Sequence, residues 1–519
     1  MPPLPMTRTL RAAPLALALA AAAAGSTACT EKLTEVPKNF VTVDNFYRTP
    51  ADIDAAMLAS YQPMFQEAWN RWMPTLGDLS SDQTRIQPDE PNFQTYAPGL
   101  LAWDPTSNSI VTVWNGFYTA IFRANLALER GAQVQFPDPA DQARLAAEAK
   151  FVRGYAYLQL TKGWDAVPLL LTLEEHDRAR SAEGVPRTPV NDVHAQVLKD
   201  LTDAEAGLPA TPTAHGRASK AAAQMALAEL HQWRSSFLKQ NEWAQASAAA
   251  KRVMDAGNWS LSADYLAPFL PANKGYPANR EVIWAVPASG QQGRSSTDAF
   301  CLFLPRALGF GSGGGCEIIG QPTQWMYQSF PRTVAGTDTA WDYRHQVTYR
   351  KGGCSTNANI GCITFQWPNV DKYRPTNRGI GGPVDVDYPI YRLAEAMLIY
   401  AEAQYELGNP GEALRVLNLI RARARQGTGS QSLAQPAALT AVDREVIYME
   451  RNWELAHEGK RWWDLLRRDA LEPGYLVAQL DAHDPETRAR GNLDPFRKRW
   501  PIPQNEMQLN PAMEQNPGY

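Results

Sequence analysis

The chain has 519 residues, enough for several ordinary cores or for one large α-rich body, and 44% of it is hydrophobic. Its 50 lysines and arginines stand against 54 aspartates and glutamates, a formal net charge of -4 with a pI near 6.1. No basic field is present to attract a polyanion, so nucleic acid is excluded as the expected partner.

The first elements are those of export. Arg8 and Arg11 form a basic start, residues 12–24 are a short apolar run, and Ser26-Thr27-Ala28 supply small residues before Cys29. Residues 1–28 therefore read as a signal peptide rather than a membrane span. A small-residue signal ending at a cysteine resembles the lipobox of bacterial lipoproteins, although Ser26 stands where that motif usually has leucine. The resemblance implies cleavage before Cys29 and its acylation. Acyl chains contribute about 0.8 kcal/mol per buried CH2, so a multiply acylated Cys29 would hold the chain on a membrane without a spanning helix. Residues 29–50 then form a polar tether in which Pro37 disfavours early helix.

Residues 51–61 have the spacing of an amphipathic helix that Pro63 should stop soon afterwards. The stretch 67–107 shows no sustained period, yet holds Trp69, Trp72, Asp78, Asp82, Arg85, Tyr96 and Trp103. A long irregular segment inside a helical protein is more often functional than idle. Helical spacing returns at 110–128, 141–160, 192–208, 219–237 and 243–255. Beyond residue 258 it is lost: 281–286 reads as a short strand, followed by glycine- and proline-rich loops. A last helical pair spans 391–407 and 410–423, divided by Gly408-Asn409-Pro410. Helix pairs with alanine at crossing positions and a repeat near 34 residues suggest tetratricopeptide-like packing. The expected fold is mainly α. Tetratricopeptide-like hairpins occupy 51–257, a loop-rich insertion with short strands occupies 258–387, and 388–519 hold a helical pair, a charged helix and an extended tail.

The charged helix is the most distinctive stretch. Between residues 441 and 468, apolar side chains recur at Val442, Val446, Met449, Trp453, Ala456 and Trp463, a face expected to be buried. Off that face run Glu450, Glu454 and Glu458, which would repel unless Arg451 and Arg461, each three residues from one of them, neutralise the row. These charges read as architecture rather than as a catalytic cluster. Gly459 points either to close backbone packing or to a helix end. The pattern Glu-Arg-x-x-Glu-x-x-x-Glu-Gly-x-Arg-x-x-Asp-Leu-x-Arg, from Glu450 to Arg467, is similar to the signature of the SusD/RagB family of outer-membrane glycan-binding lipoproteins. So are the run from Glu148 to Leu169, Gly216-Arg217-Ala218-Ser219-Lys220, and the ending from Trp500 to Tyr519. The resemblance implies the helical-pair fold, an outer-membrane location at the cell surface, and transfer of a captured nutrient to a TonB-dependent transporter of the SusC type.

With Cys29 set aside, Cys301, Cys316, Cys354 and Cys362 remain, an even number that in an exported chain favours two disulfides. Pairing Cys301 with Cys316 and Cys354 with Cys362 closes the shortest loops, and all three connectivities stay open. No Cys-x-x-Cys or His-Glu-x-x-His occurs and the 7 histidines are scattered, so no metal site is expected. The glycines from Gly309 to Gly314 satisfy Gly-x-Gly-x-x-Gly but lack a strand-loop-helix frame, so no nucleotide cofactor is expected.

A sugar ring presents apolar C–H faces and a rim of hydroxyls, and its site needs flat aromatics with amides, carboxylates or guanidinium groups near them. Two irregular segments carry that mixture. The first offers Asp82, Arg85, Trp103 and Asn108. The second offers Trp325, Tyr327, Trp341, Tyr343, Trp367 and Tyr373 among Asp342, Arg344 and Asn369. In the SusD/RagB family glycan sites are assembled from such loops, without a motif that transfers position by position. Oligosaccharide capture is the expected function. A glycoside hydrolase working through two carboxylates, and a helical protein-binding scaffold without a small ligand, are the alternatives.

Overall fold

The computed structural model describes residues 46–86, 97–288, 320–335, 338–350, 354–357, 361–364, 368–373, 385–425, 436–484 and 494–519. Residues 1–28 expected to form a signal peptide, Cys29, Tyr96, Cys301, the 309–314 glycines, Cys316 and Trp367 lie outside these residues. Cys354 and Cys362 are described only as backbone of the hairpin Cys354–Asn357 and Gly361–Thr364, where Cys354 faces Thr364 and Cys362 faces Thr356.

The long helices pack in chain order. α1 (Pro50–Pro63) lies against α2 (Asn108–Gly131), α2 against α3 (Pro139–Trp164), α3 against α4 (Val190–Gly207), α4 against α5 (Lys220–Ser236) and α5 against α6 (Trp243–Asp255). α6 then packs on α7 (Leu393–Glu406), and α7 on α8 (Pro410–Ala424). Small side chains permit this close stacking: Ala222, Ala226, Ala246, Ala250, Ala401 and Ala403 are all fully buried. The result is the mainly α, tetratricopeptide-like row of hairpins expected from the sequence. Between α6 and α7 the chain leaves the row and returns through a two-stranded antiparallel sheet, Val282–Val286 with Tyr388–Arg392. Trp284 on that sheet packs edge-on to Phe151 and Tyr155 of α3 at 4.9 and 4.8 Å.

Pro63 does not stop the first helix. The chain continues as a π-helical stretch, Met64–Trp72, and then as the short helix Met73–Asp78. A proline ring inside a helix clashes with the preceding turn, and a wider turn relieves that conflict. Burial of Met64, Phe65, Ala68, Trp69 and Trp72 holds the stretch in place. The irregular segment of the sequence therefore begins only after Asp78.

The charged helix is also two helices, α9 (Arg444–Glu454) and α10 (Arg461–Leu471). Both readings of Gly459 hold. It has a φ of +71° between the two helices, and a Cβ built on Gly77 would lie 2.1 Å from the Gly459 carbonyl oxygen. The expected sidedness holds only in part. Ala456 and Trp463 are buried as expected, but Val442, Val446, Met449 and Trp453 are only half-buried, and Glu450, Glu454 and Glu458 are sealed in the interior. Their partners are not Arg451 and Arg461, which pair with Asp464 and Asp82. Arg344 reaches Glu450 at 2.8 Å, Glu454 at 3.0 Å and Asp342 at 2.8 Å. Arg392 bridges Glu281, Glu454 and Glu458, Arg423 binds Glu281 and Glu454, Arg421 binds Glu450 and Lys372 binds Glu458. The row of glutamates lies at the junction where α7, α8, α9 and the insertion meet.

The tail is part of the core. Trp500 packs against Trp164 at 4.9 Å and Trp463 at 5.3 Å, and its amide donates to the Gly163 carbonyl at 2.9 Å. A Cβ on Gly163 would lie 2.4 Å from the Trp500 ring, so only glycine admits that indole. The tail is extended except for one short helix, Gln504–Leu509.

Candidate functional site

The strand Thr84–Ile86 pairs antiparallel with Gly320–Pro322, which sets Arg85 opposite Gln321. Arg85 Nη2 donates to Gln321 Oε1 at 3.2 Å. The pairing delivers the next helix, Gln324–Ser329, to the same edge. Thr323 caps it by accepting from the Met326 amide at 3.1 Å, while its own hydroxyl donates to the Asp82 carbonyl at 2.7 Å. Met326 is buried beside Leu79, Phe330, Tyr349, Val370 and Ala456, and Trp325 and Tyr327 stay half-buried around that cluster.

Trp325 lies flat on His483, ring centres 3.6 Å apart and planes 7° from parallel. His483 Nδ1 is 2.9 Å from Asp82 Oδ2, and Asp82 accepts from Arg461 Nε and Nη2 at 2.7 and 2.8 Å. Burial alone would raise the Asp82 carboxyl, but the Arg461 charge and its hydrogen bonds outweigh burial and bring it to about 2. Asp82 is an ionised anchor for the imidazole that backs Trp325.

The hairpin Arg332–Ala335 with Asp338–Trp341 repeats the arrangement. Its register sets Arg332 opposite Trp341. Trp341 lies flat on His345, centres 4.0 Å apart and planes 8° from parallel, and the exposed Arg332 guanidinium lies over the indole at 4.7 Å. Burial pushes His345 down to about 3, so it is neutral at physiological pH and acts as an apolar backing plate. Tyr327 completes the group, 6.0 Å from Trp341 and 4.6 Å from His345. Two half-buried indoles and a tyrosine, each plane fixed by a neighbour and bordered by guanidinium and amide groups, suit the C–H faces and hydroxyl rim of a sugar.

The structure brings Asp82, Arg85 and Trp325 together and carries Trp341 on the adjoining hairpin. Trp103 is different. It is wholly buried between Trp462 at 5.9 Å and Trp500 at 6.4 Å, and its indole N–H donates to the Tyr519 hydroxyl at 2.6 Å. The expectation that it stacks on ligand is corrected, because both the ring and its donor are used inside the fold. Tyr343 is buried too, with its hydroxyl on Asp264 Oδ1 at 2.9 Å, and Asp342 and Arg344 are locked in the interior ion network. Tyr373 is sealed with its hydroxyl on the His457 carbonyl at 2.9 Å. Asn108 is exposed in the first turn of α2, where its Oδ1 accepts from Thr112 at 3.2 Å. His345, His483 and Arg332 were not singled out in the sequence. His345 follows Trp341 by four residues at a capped helix start, which is a usable signal; His483 carries none.

The SusD family model matches residues 337–519, and a second model, described as starch-binding and associating with the outer membrane, matches residues 46–231. The chain belongs to the SusD/RagB family. Its similarity to named members spans most of both chains but is distant. SusD-like protein P2 of Formosa agariphila is 26% identical over 94% of this chain and 96% of that protein. The starch-binding protein SusD of Bacteroides thetaiotaomicron is 24% identical over 81% of this chain and 80% of its own length. Among solved structures, surface glycan-binding protein A from Bacteroides fluxus superposes with a TM-score of 0.71 at 21% identity, covering 91% of this chain and 100% of that one. A SusD superfamily protein from Parabacteroides distasonis superposes with a TM-score of 0.71 at 21% identity over 90% of this chain and 99% of that one, so the described helical row has the SusD superfamily fold.

Proposed function

We propose that this SusD/RagB protein is a cell-surface lipoprotein of the outer membrane that binds an oligosaccharide or polysaccharide and delivers it to a SusC-like TonB-dependent transporter. The observation that carries the binding half is the pair of imidazole-backed indoles, Trp325 on His483 and Trp341 on His345, with Tyr327 beside them. The names of the starch-binding and glycan-binding relatives support the same ligand class. Anchorage through Cys29 and handover to the transporter rest on the N-terminal signal and on the family. A binding role is favoured over hydrolysis because the carboxylates nearest these aromatics in the sequence, Asp82 and Asp342, are sealed against Arg461 and Arg344 and have no access to a glycosidic oxygen. Affinity is modest and release fast, since a handover protein that held its ligand would stall uptake.

Affinity electrophoresis of the protein in gels containing soluble α- and β-glucans, mannans, xylans and pectins tests the reading, paired with an assay for released reducing ends. Retardation by at least one polysaccharide without cleavage is expected. Migration unchanged in every gel, or release of reducing ends, would overturn it.

A further inference from the structure

A second concave site lies outside the Trp325 and Trp341 surface and shares no lining residue with it. A cavity of about 320 Å³ opens between α2, the helix Leu173–Ala179 and the C-terminal helix Gln504–Leu509. Its volume is at the small end of the roughly 300–1,000 Å³ typical of ligand pockets, room for a hexose-sized ring rather than for a polymer.

Its walls are fixed before any ligand arrives. Tyr118 donates through its hydroxyl to the Pro168 carbonyl at 2.8 Å. Asn510 closes the opposite side, its side chain accepting from the Val185 amide at 3.0 Å and donating to the Val185 carbonyl at 2.8 Å. Arg153, paired with Asp200, donates to Asn125 Oδ1 at 2.8 Å, so the Asn125 amide nitrogen must face the Leu170 carbonyl at 2.9 Å and His176 Nε2 at 3.2 Å. His176 Nε2 is therefore an acceptor, and its proton resides on Nδ1. Burial keeps this ring neutral, with its pKa brought down to about 4.

Two rows of α2 face the cavity. Trp114, Tyr118 and Phe122 form an aromatic row, in which Tyr118 lies 4.7 Å from Trp114 and Phe122 meets His176 edge-on at 5.1 Å. Asn115 and Thr119 form a polar row one turn apart. Both are half-buried line residues, and neither side chain has a hydrogen-bond partner among the described residues. The charges nearly cancel. Arg180 is held by Glu506 through two hydrogen bonds of 3.0 and 3.2 Å, which leaves the Asp177 carboxylate as a single negative excess. An anion is disfavoured there, and a bare apolar ligand would strand Asn115 and Thr119.

We infer that this cavity is a second binding site, for a single neutral sugar residue, with an aromatic wall for its C–H face and Asn115, Thr119 and Asp177 for its hydroxyls. The inference rests on the glycan reading for the class of ligand but uses none of the same residues. In the full chain, calorimetry and ligand-observed NMR with the methyl glycosides of glucose, galactose, mannose and xylose test it, using Asn115→Leu, Thr119→Val and, as the control for the other surface, Trp341→Ala. At least one glycoside binds the parent, Asn115→Leu and Thr119→Val each weaken it roughly ten-fold, and Asn115→Leu causes the same ten-fold loss when added to Trp341→Ala. No binding by any of the four, affinities indifferent to both α2 variants, or a preference for glucuronate or inorganic phosphate would overturn it. The two readings fail separately. Polysaccharide binding lost only in Trp341→Ala, with glycosides insensitive to Asn115 and Thr119, removes the cavity alone. Glycoside binding that needs Asn115 in a protein that retains no polysaccharide removes the first reading alone.

Discussion

Glu454→Gln removes one charge from the centre of the interior network while keeping the side chain's shape. Glu454 Oε1 accepts from Arg392 at 2.7 Å and from Arg423, and Oε2 accepts from Arg344 at 3.0 Å. Burial alone would raise this carboxyl, but the three guanidinium groups outweigh it and hold it far below the usual carboxylate range. The network balances: Arg344, Arg392, Arg421, Arg423 and Lys372 face Asp342, Glu281, Glu450, Glu454 and Glu458. Glutamine leaves an uncompensated positive charge in a region closed to water. Breaking a buried pair in this way costs about 3–5 kcal/mol. With an unfolding entropy of ~2.1 cal/mol/K per residue, a body of this size should lose roughly 3–5 °C in Tm. Differential scanning calorimetry of parent and variant at pH 7 measures the shift directly, and urea unfolding gives the free energy independently. A variant that melts within about 1 °C of the parent would refute the network's structural role, and would mean that water or a counterion reaches Glu454.

Gly77→Ala should gain about 1 kcal/mol from helix propensity alone, yet it is expected to destabilise because its Cβ meets the Gly459 carbonyl at 2.1 Å; a raised urea midpoint would contradict the close approach. Trp500→Ala opens the aromatic junction under α3 and should cost about 3–5 kcal/mol, read as a lower chemical-denaturation midpoint; an unchanged midpoint would show that the tail packs elsewhere. Burial holds His194, His345 and His457 down to about 3 and His176 to about 4, all below their unfolded value of 6.5. Their stability contribution is complete above pH 6.5 and falls as pH drops through the window from 6.5 toward those folded values, by about 1.4 kcal/mol per pH unit for each. Asp78 opposes them, since burial raises it to about 8 and its contribution shrinks as pH rises from its unfolded 3.8. Burial lowers His231 as well, and raises Asp342, Glu395 and Glu67 alongside Asp78; the imidazoles are expected to dominate, giving a urea midpoint that declines between pH 6.5 and 5, and a flat profile there would count against neutral buried imidazoles.

Local pattern and distant contact account for what the sequence disclosed. The helix expected at 243–255 is α6, Trp243–Asp255, because its period is written within the segment that forms it. The family signature from Glu450 to Arg467 pointed to the fold, yet local spacing set its glutamates off the buried face with Arg451 and Arg461 as partners, where the structure buries them and pairs those arginines with Asp464 and Asp82. No spacing rule could show that Arg344 arrives from the insertion and Arg392 from the strand that follows it. Trp103 was misread for the same reason. An indole followed by Asp104-Pro105 looks like a loop ornament until Tyr519, 416 residues away, closes over it. Trp341 was legible as an aromatic in an irregular segment, but its pairing with Arg332 depends on hairpin register and its backing on the fold of His345 beneath it. The α2 cavity was the least legible feature: Trp114 and Tyr118 fall within the helical spacing of 110–128, and it takes the distant Leu173–Ala179 and Gln504–Leu509 helices to turn that face into a pocket.

Calorimetric titration of a retained polysaccharide into the parent and into Tyr327→Ala/Trp341→Ala tests the central claim most directly. Loss of two stacking rings should weaken binding by about 1–3 kcal/mol, from roughly five-fold to more than a hundred-fold, in a variant whose melting temperature matches the parent. Equal affinity in that folded double variant would contradict sugar capture on the Trp325, Tyr327 and Trp341 surface.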